Sequence, residues 1–343
     1  MGIEKTNLDN EKINYLLEKN YNIKPQNVTR INRGTSNIFA IKTEQDKYIL
    51  KEFISKRNKD TIIKEIDIIN FLQKQNISVP TYLKTVDGRF FVENKGRILI
   101  VQKFVEGHII ENNAGNYKQV MECANVLGKL TKALINYPEL SDENIIEENF
   151  SKTRVHLGIE KMKELRKSIK KDNVYKEKFE KDIDFRIKIL KELESNFNFD
   201  IIKNMTMLNS HGDFCSQQLI YSNNKEPVVI DFEKAKKLPI VWEVIRSYTY
   251  IDKDVVKGNI NINTLVDYFI QFTQYIKLNQ YDLKYASYIY LIQLASSTYG
   301  YKEYNDDYGQ KELLEFAFFR TNLCKSLYEN CEEISLKLME NLS

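Results

Sequence analysis

Two short segments carry residue types whose spacing suits phosphoryl chemistry. His211-Gly212-Asp213-Phe214-Cys215-Ser216-Gln217-Gln218 reads as a loop, and Val228-Val229-Ile230-Asp231-Phe232-Glu233 reads as the end of a following strand. One carboxylate before a hairpin and another after its second strand can converge on one site. Asp213 would then accept a proton from a substrate hydroxyl, while Asp231 holds a magnesium ion on nucleotide phosphates. Alone, H-x-D carries little information, so the upstream context decides. Gly34, in Asn32-Arg33-Gly34-Thr35-Ser36-Asn37, lies between two predicted strands, where a backbone without a Cβ can approach phosphates and offer N–H groups. Lys51 falls on the third predicted strand and Glu65 on the next helix, an arrangement that orients an ammonium toward phosphates through an ion pair.

The elements that must position these residues are legible from periodicity. Residues 9–20 place Ile13, Leu16 and Leu17 at helical spacing after a cap at Asp9 or Asn10. From Val28 to Phe53, three β-rich runs separated by RGTS and EQD predict an antiparallel meander. Residues 60–75 predict a helix capped by Asp60, with Ile62, Ile66 and Ile69 on one face. Further strands are expected at TYLKTV and at RFFVE or RILIVQKF, closing a first lobe near Phe104. Beyond it the pattern is helical over 117–135, 152–197 and 239–341, interrupted at 208–219 and by LIYS and PVVIDF, a hairpin or two adjacent short strands around Asn223-Asn224-Lys225. No internal repeat or low-complexity linker is visible.

In this order of motifs the chain resembles the aminoglycoside phosphotransferase and choline kinase superfamily, small-molecule relatives of protein kinases. The Gly34 loop, Lys51, Glu65, the QKFVEG linker at 102–107, the HGD loop and the IDF strand span nearly all of it. The resemblance implies a two-lobed, protein-kinase-like α+β fold: residues 1–103 as a nucleotide-binding lobe with an antiparallel sheet, and 104–343 as a larger helical lobe with the catalytic loop and substrate site. It also implies ATP or GTP in the cleft, Asp213 as the catalytic base, Asp231 as a magnesium ligand and Lys51 as the phosphate anchor partnered by Glu65. Gly34, Ser36 and Asn37 would contact the nucleotide, and the backbone of Gln102 to Phe104 would receive its base. Three positions depart from the family pattern. Gln218 stands where most members have Asn as a second Mg2+ ligand, Glu243 replaces the Asp that holds the catalytic loop, and Leu130-Thr131 replaces Leu-His. Asp231-Phe232-Glu233 looks like the DxE pair of methylthioribose and choline kinases, so Glu233 is a further candidate for the metal or for the substrate.

Bland readings stand beside each of these. His211 reads as loop support, Asp213 alternatively as a turn cap, Lys51 and Glu65 as a surface pair, the Gly34 loop as a plain hairpin turn and Cys215 as a buried thiol. Near the C-terminus, residues 301–343 hold 9 acidic against 5 basic residues, with Glu303, Asp306, Asp307, Glu312 and Glu315 clustered. They would attract a cationic aminoglycoside or amino alcohol, or else lie on a solvated face. Trp242, Tyr248, Tyr250, Tyr299 and Tyr301 would stack on a sugar or enclose an ammonium, or else fill the core.

Composition excludes other classes. With 42% hydrophobic and 12% aromatic residues in 343, the chain can bury a core, which excludes disorder. A net charge of +3 gives no broad basic face for nucleic acid; the local excess over 151–195, 14 basic against 9 acidic, reads as a solvated helix face or an anionic partner. No run reaches the length of a membrane span, and the charged first 21 residues lack a signal-peptide core. Cys123, Cys215, Cys324 and Cys331 form no C-x-x-C pair, and three scattered histidines make no metal cluster, so a cytoplasmic enzyme with oxygen metal ligands is expected. The partners expected are a nucleotide and a small-molecule hydroxyl, with neither nucleic acid nor membrane. The alternative is a catalytically silent structural or scaffolding protein, as in spore-coat relatives.

Overall fold

The computed structural model describes residues 6–31, 36–54, 58–140, 145–222 and 226–342. Its elements run α1 (Asn10–Tyr21), β1 (Asn27–Ile31), β2 (Asn37–Lys42), β3 (Lys47–Glu52), α2 (Lys59–Lys74), β4 (Val92–Asn94), β5 (Arg97–Lys103) and β6 (His108–Ile109). There follow α3 (Tyr117–Leu134), α4 (Ile145–Phe150), α5 (Lys152–Ser168), α6 (Lys176–Asn196), β7 (Met207–Ser210), β8 (Leu219–Tyr221), β9 (Val228–Val229) and β10 (Lys236–Pro239). The chain ends in α7 (Ile240–Ile251), α8 (Ile262–Thr273), α9 (Gln280–Ala295), α10 (Tyr301–Asp306) and α11 (Lys311–Leu342). The fold is α+β. It divides into two compact units, one of residues 1–109 and 219–233, the other of 110–218 and 234–343.

The first unit is built on a five-stranded antiparallel sheet in the order β1-β2-β3-β5-β4. Strand side chains alternate between faces. Phe39, Ile41, Leu50, Leu99 and Val101 pack with Ile13 and Leu17 of α1, so Lys51, of opposite parity to Leu50, emerges on the other face. Asp9 caps α1, accepting from the Lys12 N–H at 2.9 Å. The cap of α2 is Asn58, whose side chain accepts from the Asp60 N–H at 2.8 Å; Asp60, expected in that role, lies inside the first turn. TYLKTV is no strand: Tyr82 alone bridges to Gln102. LIYS and PVVIDF do form an antiparallel pair, β8 with β9, extended by β6; the expected turn at 223–225 lies outside the described residues.

The second unit is helical apart from β7 and β10, which pair antiparallel. The lysine-rich stretch, expected as one helical run, is broken at 169–175 into α5 and α6. Some of its charges are matched: Arg166 pairs with Asp184 at 2.6 Å, Lys181 with Glu177 at 2.7 Å and Lys178 with Asp182 at 3.1 Å. Arg186 of α6 is fully buried, its guanidinium spent on the Thr321 hydroxyl and on carbonyls of Leu294, Ser297 and Ala317. No helix among the described residues is long and apolar enough to cross a membrane.

Candidate active site

The candidate residues fall into two groups, one in each unit. In the first, the register of β3 sets Lys51 opposite Ile38 and Ile100, and its ammonium lies 3.8 Å from Glu65 Oε1 and 3.9 Å from Asp231 Oδ1. Both separations exceed a hydrogen bond, so the cation is held by charge while its donors remain available for an oxygen between them. It also lies over the Phe53 ring at 4.7 Å. Glu65 is buried on α2, and the Tyr82 hydroxyl donates to its Oε1 at 2.9 Å. Burial and the neighbouring Glu65 carboxylate push the Tyr82 phenol well above its ordinary value, which keeps it a donor. Tyr82 is a supporting residue that sequence reasoning missed, because its segment read as a strand.

Asp231 follows β9 with φ at +67°, in the left-handed region that side chains other than Gly, Asn and Asp rarely adopt. Such backbone costs on the order of 1 kcal/mol or more and persists where the surroundings enforce it. Among the described residues its buried Oδ1 accepts no hydrogen bond, and neither does the buried Glu65 Oε2. A buried carboxylate oxygen without a donor is costly unless a cation completes it, so Asp231 fits a hard metal ion with oxygen ligands. Glu233 lies two residues on, in a single 3-10 turn, Phe232–Lys234. No cluster of three or more His, Cys, Asp or Glu side chains stands ready as a metal cage among the described residues.

The glycine loop gives a different result. Gly34 lies outside the described residues; Ser36 is buried at its edge. Asn37 shares the sheet face of Phe39 and Ile41, its amide donating to Glu52 Oε2 at 2.9 Å and accepting from Arg30 at 2.9 Å. Arg97 completes this buried network on Glu52 at 3.0 Å. The Asn37 side chain, expected at the nucleotide, is thus spent on the face opposite Lys51. Of the strand expected to meet the base, the Phe104 N–H donates to the Lys47 carbonyl at 3.0 Å and the Lys103 N–H to Thr81 at 2.9 Å. Those two donors are already engaged beside Gln102.

In the second unit, β7 delivers the chain into the loop at His211–Phe214. Gly212 has φ at +80°, and a Cβ there would come within 1.9 Å of the Lys234 carbonyl oxygen, so only glycine fits. Glu243, buried in the first turn of α7, holds the loop. Its Oε1 accepts from the N–H groups of Gly212 at 2.6 Å and Phe214 at 3.3 Å, and its Oε2 from His211 at 3.1 Å. The longer Glu therefore performs the holding that the sequence departure put in question. Burial raises its carboxyl despite the favourable His211 charge and these N–H donors. His211 is buried beside it as loop support.

Asp213 is engaged at both oxygens. Arg246, one turn after Glu243 on α7, donates to Oδ1, and Lys234 donates to Oδ2 at 2.9 Å. Arg246 also donates to the Phe214 carbonyl at 2.9 Å. Burial works against ionisation of Asp213, but Arg246 and then Lys234 outweigh it and hold the carboxyl below its ordinary value. The two cations differ in freedom: the Arg246 side chain is 15% exposed and that of Lys234 is 61% exposed. Sequence reasoning missed both. Gln218 closes the turn after the loop, its N–H donating to the Cys215 carbonyl at 3.0 Å. Cys215 is buried, and burial raises its thiol, in keeping with the buried-thiol reading.

Several aromatic candidates are core. Tyr248 and Tyr301 are fully buried, Trp242 and Tyr250 nearly so, and Tyr299 alone of the five is exposed.

A family model, that of the phosphotransferase enzyme family, matches residues 27–261, more than half of the chain. No curated protein sequence matches it. Among solved structures, an aminoglycoside phosphotransferase from Alicyclobacillus acidocaldarius superposes with a TM-score of 0.68 at 16% identity, covering 96% of this chain and 98% of the other. Spectinomycin phosphotransferase, solved with ADP and spectinomycin, gives 0.66 at 13% identity, covering 97% and 100%. A choline kinase from Cryptosporidium parvum gives 0.57 at 15% identity, covering 97% and 99%. At these identities the likeness is one of fold.

Proposed function

The chain belongs to the phosphotransferase enzyme family, and from that premise we propose that it transfers the γ-phosphoryl group of ATP or GTP to a hydroxyl of a small molecule, with magnesium as cofactor. The observation that carries the reading is the placement of Lys51 against Glu65 and Asp231: among the described residues, an ammonium without a hydrogen bond stands beside a carboxylate oxygen without a donor. Lys51 binds phosphate oxygens, and Glu65, itself fixed by Tyr82, keeps the ammonium pointed at them. Asp231 would hold magnesium, with Glu233 and Gln218 as further oxygen ligands. When bound, the ion neutralises charge on the phosphates.

Asp213 orients the acceptor hydroxyl and takes its proton. Its depressed carboxyl makes it a weak base, which suits a loose transition state in which positioning and charge neutralisation supply most of the acceleration. Each Asp213 oxygen keeps a lone pair with which to accept from the hydroxyl, and of the two cations the exposed Lys234 is the one freer to move. Arg246 stays to fix the carboxylate.

Against the silent-scaffold alternative stand the loop contacts of Glu243, which keep the holding role at a position that departs from the family pattern. A cytoplasmic location is favoured by four free, buried cysteines. The test is Asp213→Asn. It should abolish transfer while leaving magnesium-dependent nucleotide binding within about twofold of the wild type; an unchanged transfer rate would remove the catalytic assignment.

A further inference from the structure

From the two cations on Asp213, a chain of aromatic and cationic side chains runs on through the second unit. Beyond Lys234 and Arg246, the Arg246 guanidinium lies over the Tyr250 ring at 5.0 Å, and Tyr250 stacks on Phe316 at 6.1 Å. Phe316 meets Tyr299 edge-on at 6.2 Å and carries the Arg320 guanidinium 5.7 Å above its ring. Arg320 is 5% exposed. Among the described residues its one hydrogen bond runs from Nη1 to the Ser297 hydroxyl at 3.1 Å, its Nε is buried without an acceptor, and no carboxylate lies within ion-pair distance. A buried guanidinium without a counter-ion is costly, and a ligand anion would complete it.

Three of the acidic residues that would attract a cation are turned to other tasks. Asp306 pairs with Lys302 at 2.5 Å, Asp307 accepts from the Gly309 N–H at 2.9 Å and from Gln310 at 3.1 Å, and Glu303 accepts from the Gly300 N–H at 2.6 Å. Glu312 and Glu315 are exposed on α11. Burial and then Glu303 raise the Tyr299 phenol, while Arg320 and Lys234 draw it back, so both cations act at this aromatic wall.

We infer that the acceptor is an anionic hydroxy compound whose carboxylate or phosphate is received by Arg320. Tyr299 and Phe316 line its carbon frame, and its hydroxyl is presented to Asp213. This rests on the kinase reading above and reverses the polarity that the acidic C-terminal composition suggests. The acceptor oxygen forms the new O–P bond as the bond from the γ-phosphorus to the bridging oxygen breaks. The nucleoside diphosphate leaves with the bridging electrons, and the hydroxyl proton passes to Asp213. Lys234, released from Asp213, follows the incoming anion.

The test uses the full chain at fixed ionic strength. Melting temperature with ATP or GTP and magnesium is measured first. Diphosphate release is then compared across two acceptor sets, glucosamine, glucose and gluconate, and ethanolamine, ethylene glycol and glycolate. Within a set, kcat/KM for the carboxylate should exceed that for the amine at least tenfold. Arg320→Gln should collapse that preference by about 10- to 100-fold, the span of a charge-assisted hydrogen bond, and Arg320→Lys should restore part of it. Should Arg320→Gln fail to fold, Lys234→Gln, at an exposed side chain, should lower the same ratio. A nucleotide shift with the amines preferred, with no acceptor exceeding the water blank, or with a preference that survives these substitutions, would overturn the inference alone. Absence of any nucleotide shift would overturn the kinase reading beneath it.

Discussion

Replacing Glu243 by Gln should loosen the His211–Phe214 loop without changing its length. The carboxylate accepts three backbone N–H groups, Gly212 and Phe214 on Oε1 and His211 on Oε2. An amide supplies one acceptor oxygen, which can keep Gly212 and Phe214. Its NH2 then faces the His211 N–H, donor against donor. The loss is one charge-assisted bond of about 1.5–3 kcal/mol plus the cost of a buried N–H left unpaired, about 1–3 kcal/mol. Relief of the burial that raises the Glu243 carboxyl offsets part of this. A net destabilisation of about 2–4 kcal/mol follows, which for a chain of this length lowers the melting temperature by about 3–6 °C. Glu243→Ala, with three N–H groups unpaired, should lose more. Because the loop also carries Asp213, displacement on the order of 1 Å should reduce kcat by about 100-fold, while the nucleotide-dependent rise in melting temperature persists, since Lys51, Glu65 and Asp231 belong to the other unit. Calorimetry with and without magnesium and nucleotide reads both effects. A Glu243→Gln protein as stable and active as the wild type would refute the holding role.

Other consequences follow from the same geometry. Asp231→Asn keeps a residue that tolerates positive φ but removes the charge, so it should abolish the magnesium dependence of nucleotide binding by titration calorimetry and leave the fold intact. Gly212→Ala, forced against the Lys234 carbonyl at positive φ, should destabilise by several kcal/mol, at least about 3, in urea unfolding. The pH dependence has a definite sign. Asp213 is held below its ordinary value of 3.8, so the stability it contributes is present above that value and is lost as pH falls through its lower folded value. Transfer should therefore hold its rate into the acid range as far as the fold survives. Arg246→Met, which removes the leading attraction, should move the acid limb of kcat upward; an unmoved limb would show that Arg246 does not set the Asp213 proton affinity.

Where a residue's role depends on its own strand or helix, it was legible in the sequence. Lys51 on the third strand of a meander and Glu65 on the following helix needed only period-2 and period-3.6 patterns, and the structure sets them 3.8 Å apart. The kinase-like α+β fold was implied by the family resemblance of the motif order, and the structure bears it out. What sequence could not show was which face turns where. Asn37 sits next to the glycine loop in sequence yet shares parity with Phe39 and Ile41, and so enters the buried network with Glu52 and Arg30. Tyr82 reaches Glu65 from a segment whose alternation imitates a strand but whose backbone makes a single bridge. Arg246 had a readable signal: Glu243 and Arg246 are the two charges in the otherwise apolar or neutral α7, three residues apart and thus on one face. Charges in a helix that is buried almost throughout must meet partners, and here they meet the loop that carries Asp213. The α5–α6 break carries no Pro or Gly, only Asp172-Asn173, which explains why the periodicity ran through it.

The central claim, a phosphoryl-donor site organised by Lys51 and Asp231, is tested most directly by the melting temperature of the intact chain with ATP and with GTP, each with and without magnesium. The account predicts a magnesium-dependent rise with at least one nucleotide, lost in Lys51→Met. No rise with either nucleotide at millimolar concentration, or a rise that Lys51→Met leaves unchanged, would contradict it.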